Sequence, residues 1–479
     1  MLLSAQQIEE IHMATLKVLS ETGVKVNNSK AVEIFAASGA TVERYDEKVI
    51  VKIPAELVEE CVKKAPANVA YSGRLEKYDY SPTGGIISFT TFGECNYIID
   101  MHNRKVRPSI KKDCRESAFI CDAIESLKVV ERPLNPSDCP PATQTLHNAE
   151  AIFSNTAKHT FIGAGDVNSL NKMNEIAKIC LGGKKSDKRK IFTTTVCPVS
   201  PLGLGKDCCD IIIEAALLEI GLLIFTMPLA GATAPVTLAG ALILQNAEVL
   251  SSLVLAQLTK PGTPCTYGSA ATIMDLTHVD VSLGAFEMAL LSAGAARMAQ
   301  YYDLPSLICG GMSDSKVPDA QAGYEFSYSA LLCAQAGSSF ISGLGVLEKG
   351  ITFDYAKFMM DVEMSNFLAR VIKGIETSPD QLALEIIDEV GHSGEYLTHI
   401  HTFEHMREQS TVNIFSRLKR PEWQEAGEKH LAEKAYEEAE NLIKNHRPDS
   451  LSRSQLEEIS SLIRDYENEL GIKRDDYLK

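Results

Sequence analysis

Eight short runs rich in β-branched and apolar residues, each followed by a helical stretch, constrain this 479-residue chain more than any other feature. The runs are Ile86 to Phe92, Leu127 to Leu134, His159 to Gly163, Lys190 to Val196, Leu222 to Met227, Thr263 to Tyr267, Leu304 to Cys309 and Ser339 to Gly343. Between them Ala142 to Ser154, Ser169 to Cys180, Pro235 to Leu258, Gly284 to Tyr302 and Asp319 to Gln335 repeat apolar residues at three and four, which places one apolar stripe on a helix. Eight strand-helix units imply a (β/α)8 TIM barrel of the α/β class. A doubly wound open sheet shares the same text, because closure is not written in a sequence, although no glycine fingerprint follows the first run.

Flanking segments differ in character. Residues 1–85 read as a mixed N-terminal cap: Ser4 and Gln7 form a capping box for a helix that Gly23 ends, and a strand at Val49 to Ile53 precedes a helix at Pro54 to Lys64. Residues 86–373 hold the barrel. From 374 to 479 the text turns charged, and "EWQEAGEKHLAEKAYEEAENLIKNHRP" reads as solvated amphipathic helix, a C-terminal helical extension.

Charge excludes some partners. With 47 basic against 63 acidic residues the formal charge is −16, which argues against nucleic acid or an anionic membrane surface. The longest apolar passage, Ile211 to Ala232, is interrupted by Glu214, Glu219 and Pro228 and suits a helix followed by a buried strand better than a membrane span. No charged leader with a cleavable apolar core opens the chain, so a cytoplasmic protein is expected. Its 12 cysteines include no CxxC pair and are expected to be reduced; Cys95, Cys197 and Cys309 each stand at the end of a run or just past it, where a reactive thiol would sit, but packing is the simpler role.

On a barrel the functional residues follow the strands, because the βα loops form the active face. That rule selects Phe92, Glu94 and Tyr97 after the first run, then Asn135, Asp166, Ser200 and Thr233 after the second to fifth. Tyr267 and Ser269 follow the sixth, Ser313, Asp314 and Lys316 the seventh, and Glu348 the eighth. Carboxylates beside aromatics suit a cationic substrate. Phe353, Tyr355 and Phe358 add rings near the last loop, each also explicable as packing. Glu94 and Glu348 would offset an ammonium or bridge to a lysine; Lys316 with the amides of Gly310 and Gly311 would receive a carboxylate or cap the loop. No histidine joins this set. His399, His401 and His405 in "HIHTFEH" have ligand-like spacing but lie in the extension, where docking competes with metal binding. Neither a GxSxG elbow nor a phosphate loop occurs.

"GGMSDSKVPDAQAGYE" (310–325) resembles the corresponding segment of the trimethylamine methyltransferase family. So do "LSAQQIEEIHMATLKVLSETGVKV", "CPVSPL", "GLGVLEKGITFDYAKFMMDVEM" and "GHSGEYLTHIHTFEHMRE", which together span most of the chain. The resemblance implies a TIM barrel that moves a methyl group from a methylated amine to the cobalt of a separate corrinoid protein. Because the sequence holds only the ordinary twenty residues and no pyrrolysine, it is similar to the branch acting on quaternary amines: glycine betaine, proline betaine, carnitine or γ-butyrobetaine. The cobalamin is then expected on a partner, since no DxHxxG motif occurs here, and no tightly bound cofactor, metal or catalytic acid-base pair is expected. The substrate-binding set implied is Phe92, Glu94, Tyr97, Tyr267, Ser269, Gly311, Asp314, Lys316, Glu348, Phe353 and Tyr355. Apolar outer helices lead us to expect a homo-oligomer. A metal-dependent hydrolase or lyase, and a betaine-binding module without catalysis, remain as alternatives.

Overall fold

The computed structural model describes residues 3–46, 48–82, 87–183 and 189–472. Eight parallel strands form one sheet: β1 (Ser88–Thr91), β2 (Val129–Glu131), β3 (His159–Gly163), β4 (Phe192–Val196), β5 (Gly221–Thr226), β6 (Cys265–Ser269), β7 (Ser306–Cys309) and β8 (Phe340–Leu344). They run in the order β1-β8-β7-β6-β5-β4-β3-β2. Each expected run therefore carries a strand, often shorter than the apolar text. Ile86, where the first was expected to begin, lies outside the described residues.

The seam between β1 and β2 decides between barrel and open sheet. Thr90 Oγ1 donates to the Val129 carbonyl at 3.2 Å and accepts from the Glu131 amide at 2.9 Å. Beyond the strand ends, the amides of Glu94 and Cys95 donate to the carbonyls of Arg132 and Pro133 at 3.1 and 3.0 Å. A threonine side chain thus substitutes for part of a backbone ladder, and the sheet closes as a TIM barrel.

Eight helices follow the strands: α1 (Lys111–Ala123), α2 (Gln144–Phe153), α3 (Val167–Cys180), α4 (Lys206–Leu217), α5 (Leu238–Thr259), α6 (Phe286–Tyr301), α7 (Ala320–Gln335) and α8 (Tyr355–Ile372). Among the described residues α5 is the one helix long and apolar enough to cross a membrane. It is also mostly buried: the cap helices Ala5–Lys17 and Ala55–Lys64 cover it, which explains why apolar residues surround it rather than form one stripe. The passage Ile211 to Ala232 resolves into most of α4 and then β5.

The flanking segments are joined to the barrel. Ser4 caps the first helix in the expected box with Gln7. Val24–Val26 pairs antiparallel with Lys48–Lys52 and parallel with Gly203–Leu204 in the loop after β4. At the other end of the chain, Leu431–Asn445 buries Ala435, Tyr436 and Ala439 against α8 and α1, and Arg453–Glu469 buries Ile459, Ile463 and Tyr466 against α3 and α2. These helices have the amphipathic pattern the sequence shows, with the narrow apolar stripe turned to the barrel.

Candidate functional site

Strand alternation determines what faces the barrel interior. On β3, Phe161 points inward with Gly163; on β2 Glu131 does; on β8 Ser342 reaches it, its Oγ donating to Glu131 Oε2 at 2.6 Å and lying 2.9 Å from the Thr91 carbonyl. Above this layer, at the C-terminal ends of β1 to β5, lies a cavity of about 380 Å³. Phe92, Phe161 and Phe225 supply aromatic wall, with Phe92 and Phe225 centroids 6.3 Å apart. Met227, Leu229, Ile162 and Pro198 extend the apolar surface, and Thr195, Cys197, Ser200 and Thr233 bring hydroxyls and a thiol. Gly93 and Gly163 leave room for charged neighbours: a Cβ on them would lie 3.4 Å from Glu131 Oε1 and 3.7 Å from Glu94 Oε1.

Among the described residues, the charged side chains that line the cavity are Glu94, Glu131 and Arg132. Arg132 forms an ion pair with Glu94 through Nη2. Glu131, 4 % exposed, has no ion-pair partner among the described residues. Burial pushes its carboxyl up to about 7, against the opposing hydrogen bonds from Ser342 and the Gly93 amide. Burial likewise lowers Arg132 to about 10. Behind the wall, Ser200 Oγ donates to Glu248 Oε2 at 2.8 Å and the Leu202 amide to Oε1 at 2.9 Å, while burial raises that carboxyl to about 7. Aromatic faces beside a carboxyl without an ion-pair partner are groups able to hold a small cation.

The other half of the mouth is closed by its own loops. Asp314 Oδ1 accepts from the amides of Leu283 and Gly284 at 2.8 and 3.0 Å, and Oδ2 accepts from Ser282 Oγ, tying the β7 loop to the β6 loop. Ser313 Oγ and the Asp314 amide donate to Glu325 Oε2. The β8 turn joins through the amides of Glu348 and Lys349, which donate to the carbonyls of Ser315 and Ser313. Removing the Asp314 acceptor strands three donors, so Asp314→Ala is expected to lower stability by about 1 to 3 kcal/mol in urea unfolding. A change within error would mean that water replaces the carboxylate without penalty.

The family model for trimethylamine methyltransferase (MTTB) matches residues 1–471. The chain belongs to the trimethylamine methyltransferase family. A trimethylamine methyltransferase MttB from Desulfitobacterium hafniense is 39 % identical over 472 residues, covering 98 % of this chain and 95 % of the relative. A glycine betaine methyltransferase from another strain of that species is 30 % identical over 456 residues, covering 94 % of each. The crystal structure of the Methanosarcina barkeri monomethylamine methyltransferase (MtmB) superposes with a TM-score of 0.52 at 13 % identity, over 92 % of this chain and 93 % of that one, and so shares the barrel fold.

In this family member the residues expected from the sequence divide sharply. Phe92 and Glu94 line the cavity, together with Ser200 and Thr233. Tyr267 and Ser269 do not reach it, because Thr266 and Gly268 take the inward positions of β6; the Tyr267 hydroxyl instead lies 3.0 and 2.9 Å from Gln245 Oε1 and Asn246 Oδ1 of α5. Phe353 and Tyr355 are buried behind β8, their rings 5.3 Å apart and Phe353 also against Phe358. Tyr97 sits in a strand paired with Thr352–Phe353, outside the cavity. Lys316 is exposed and donates to the Asp314 carbonyl at 2.7 Å. The Gly311 carbonyl accepts from Lys357 at 3.4 Å, and Glu348 accepts from Thr352. Asn135 bonds Asn96, and Asp166 caps α3 through the Ser169 amide.

Glu131, Arg132, Phe161 and Phe225 also line the cavity and were not among the residues expected from the sequence. The signal for the first two was present: adjacent charges inside the run Leu127 to Leu134, where a buried strand tolerates charge only for a reason. Of the three thiols at the end of a run or just past it, Cys197 lines the cavity, whereas Cys95 and Cys309 are buried. In the extension, His405 Nδ1 lies 2.7 Å from Glu408 and the rings of His401 and His405 are 4.3 Å apart. No group of ligands suited to a metal ion occurs among the described residues.

Proposed function

We propose that this methyltransferase moves an N-methyl group from a small quaternary amine of the betaine class to the cobalt of a corrinoid carried by a separate protein. The observation that carries this reading is the aromatic cavity at the barrel mouth, whose uncompensated charge is the carboxyl of Glu131. A quaternary nitrogen offers no N–H, so ring faces and a nearby carboxylate are the groups that recognise it. Its leaving group departs as a neutral amine, which needs no proton, and the absence of pyrrolysine from the sequence removes the adduct chemistry that residue would bring. Ionised Glu131 and the faces of Phe92, Phe161 and Phe225 hold the cation, orient one methyl toward the opening and keep water from the nitrogen. When present, the corrinoid supplies cobalt(I) as the methyl acceptor.

The rim supports docking of such a partner. Val199, Val236, Leu276, Val279, Val317 and Ile351 project from the loops after β4 to β8, all more than 45 % exposed. Exposed apolar residues along the mouth of a barrel are the surface expected to bury against another protein. The test is formation of methylcobalamin from cobalt(I) cobalamin, followed by absorbance, with glycine betaine, proline betaine, carnitine, γ-butyrobetaine and trimethylamine as donors. Methylation by a quaternary amine and not by trimethylamine is the expected result. Silence with every quaternary donor, repeated with corrinoid protein, would refute the proposal.

A further inference from the structure

Glu94 and Arg132 meet in the cavity as a pair of unequal freedom. Arg132 is nearly inaccessible, 5 % exposed, and its Nε has no hydrogen-bond partner among the described residues. An underpaired guanidinium walled into a ligand cavity is rare, since its planar fork is built to grip a carboxylate with two parallel bonds. Glu94, by contrast, keeps 53 % of its side chain in solvent. Its backbone is pinned by the hydrogen bond its N–H donates to the Arg132 carbonyl and held at φ +83°, a conformation that costs a non-glycine residue energy. The backbone is therefore fixed while the carboxylate is free to swing outward.

We propose that Glu94 is a placeholder for the carboxylate of a zwitterionic substrate: it holds Arg132 until the substrate's own carboxylate takes the guanidinium and displaces it into water. This rests on the reading of the cavity as an amine site and deepens it by assigning both poles. Glu131 and Arg132 are consecutive, so their α-carbons are about 3.8 Å apart, and both line the same cavity. One small molecule with its ammonium and carboxylate separated by a short linker can meet both. The aromatic faces and Glu131 take the ammonium; Arg132 takes the carboxylate. A simple cation would use Glu131 alone and leave the Glu94–Arg132 pair intact. The lysine expected from the sequence to anchor a carboxylate, Lys316, does not line this cavity.

Calorimetric titration of the full chain with tetramethylammonium and with glycine betaine separates these possibilities. Glu94→Gln, at a half-exposed position, is expected to tighten betaine severalfold and leave tetramethylammonium within about twofold. Arg132→Met is expected to weaken betaine by roughly tenfold or more while retaining tetramethylammonium, because a bond to a charged group is lost for one ligand only. Equal weakening of both ligands by Glu94→Gln would make Glu94 an ammonium ligand and overturn the placeholder. Unchanged betaine affinity in Arg132→Met would overturn it as well. If Arg132→Met does not fold, the Glu94→Gln comparison decides alone. Failure of both ligands to bind the wild-type protein would sink the amine reading itself, an outcome distinct from either of the others.

Discussion

Glu131→Gln is expected to weaken binding of a cationic substrate by roughly ten- to a hundredfold at pH 8 and to flatten the pH dependence of that binding. The buried carboxyl titrates near 7, so below that pH a cation must displace a proton before it gains the charge. Affinity in the wild-type protein should thus fall up to tenfold for each pH unit below 7 and level off above it, with protons released on binding. Glutamine keeps the shape and can still accept from Ser342, but it carries no charge at any pH. Titrations in two buffers of different ionisation enthalpy measure the released proton directly. Identical pH profiles in wild type and variant would remove Glu131 from the site.

The same shift makes a stability statement of the opposite sign. The folded protein holds the Glu131 proton up to about 7, while an unfolded chain releases it near 4.5. Stability from this group is full below 4.5 and is lost as pH rises through 7, about 3 kcal/mol in total. Glu248, pushed up to about 7 by burial, and Asp361, raised by burial against the opposing Lys357 ammonium 2.5 Å away, contribute in the same direction. They remain in the variant, so the difference between the two stability profiles reports Glu131. A cation in the cavity returns part of what ionisation removes, which ties substrate binding to the stability of the barrel mouth.

Much of the barrel is legible in the sequence for a simple reason. Parallel strands buried on both faces read as short apolar runs between turn residues, and βα spacing repeats them. His159–Gly163 begins and ends where its run does. Facing is harder. Tyr267 and Gly268 are neighbours, and only the register of β6 against β5 and β7 turns the glycine inward and the tyrosine toward α5. The same ambiguity hides Phe225, one residue among several large apolar ones in "LLIFTM". Loop residues such as Asp314 carry two readings for another reason: a carboxylate near a mouth looks alike in sequence whether it shapes a pocket or holds its loop, as Asp314 does on the amides of Leu283 and Gly284. Glu131 and Arg132 escape because the expected site was placed after the run, at Asn135, whereas β2 ends earlier at Glu131 and the first charges past the barrel wall belong to the cavity.

The largest loss of stability is expected from a residue outside the barrel strands. Tyr71, fully buried, comes from the segment that precedes β1 and reaches the N-terminal ends of the strands. Its ring packs edge-on against His159 and Phe340, with centroids at 5.3 and 5.0 Å, and tilted against Phe161 at 5.5 Å; its hydroxyl lies 2.7 Å from Thr266 Oγ1. It touches β3, β6 and β8 at once and forms the floor of the barrel. Tyr71→Ala opens a void among side chains held on different strands, which cannot close together without moving the sheet, so a loss of about 3 to 5 kcal/mol is expected in urea unfolding. Tyr71→Phe, which keeps the ring and deletes one buried hydrogen bond, should cost about 1 kcal/mol. Phe161 links this floor to the site, since it rests on Tyr71 beneath it and lines the cavity above. Tyr71→Ala is therefore expected to weaken binding of a quaternary ammonium as well, through a looser Phe161, while Tyr71→Phe leaves it intact. A loss below about 1 kcal/mol in Tyr71→Ala would show that the floor repacks around the void, and unaltered affinity would show that β3 holds Phe161 without help from the ring beneath it.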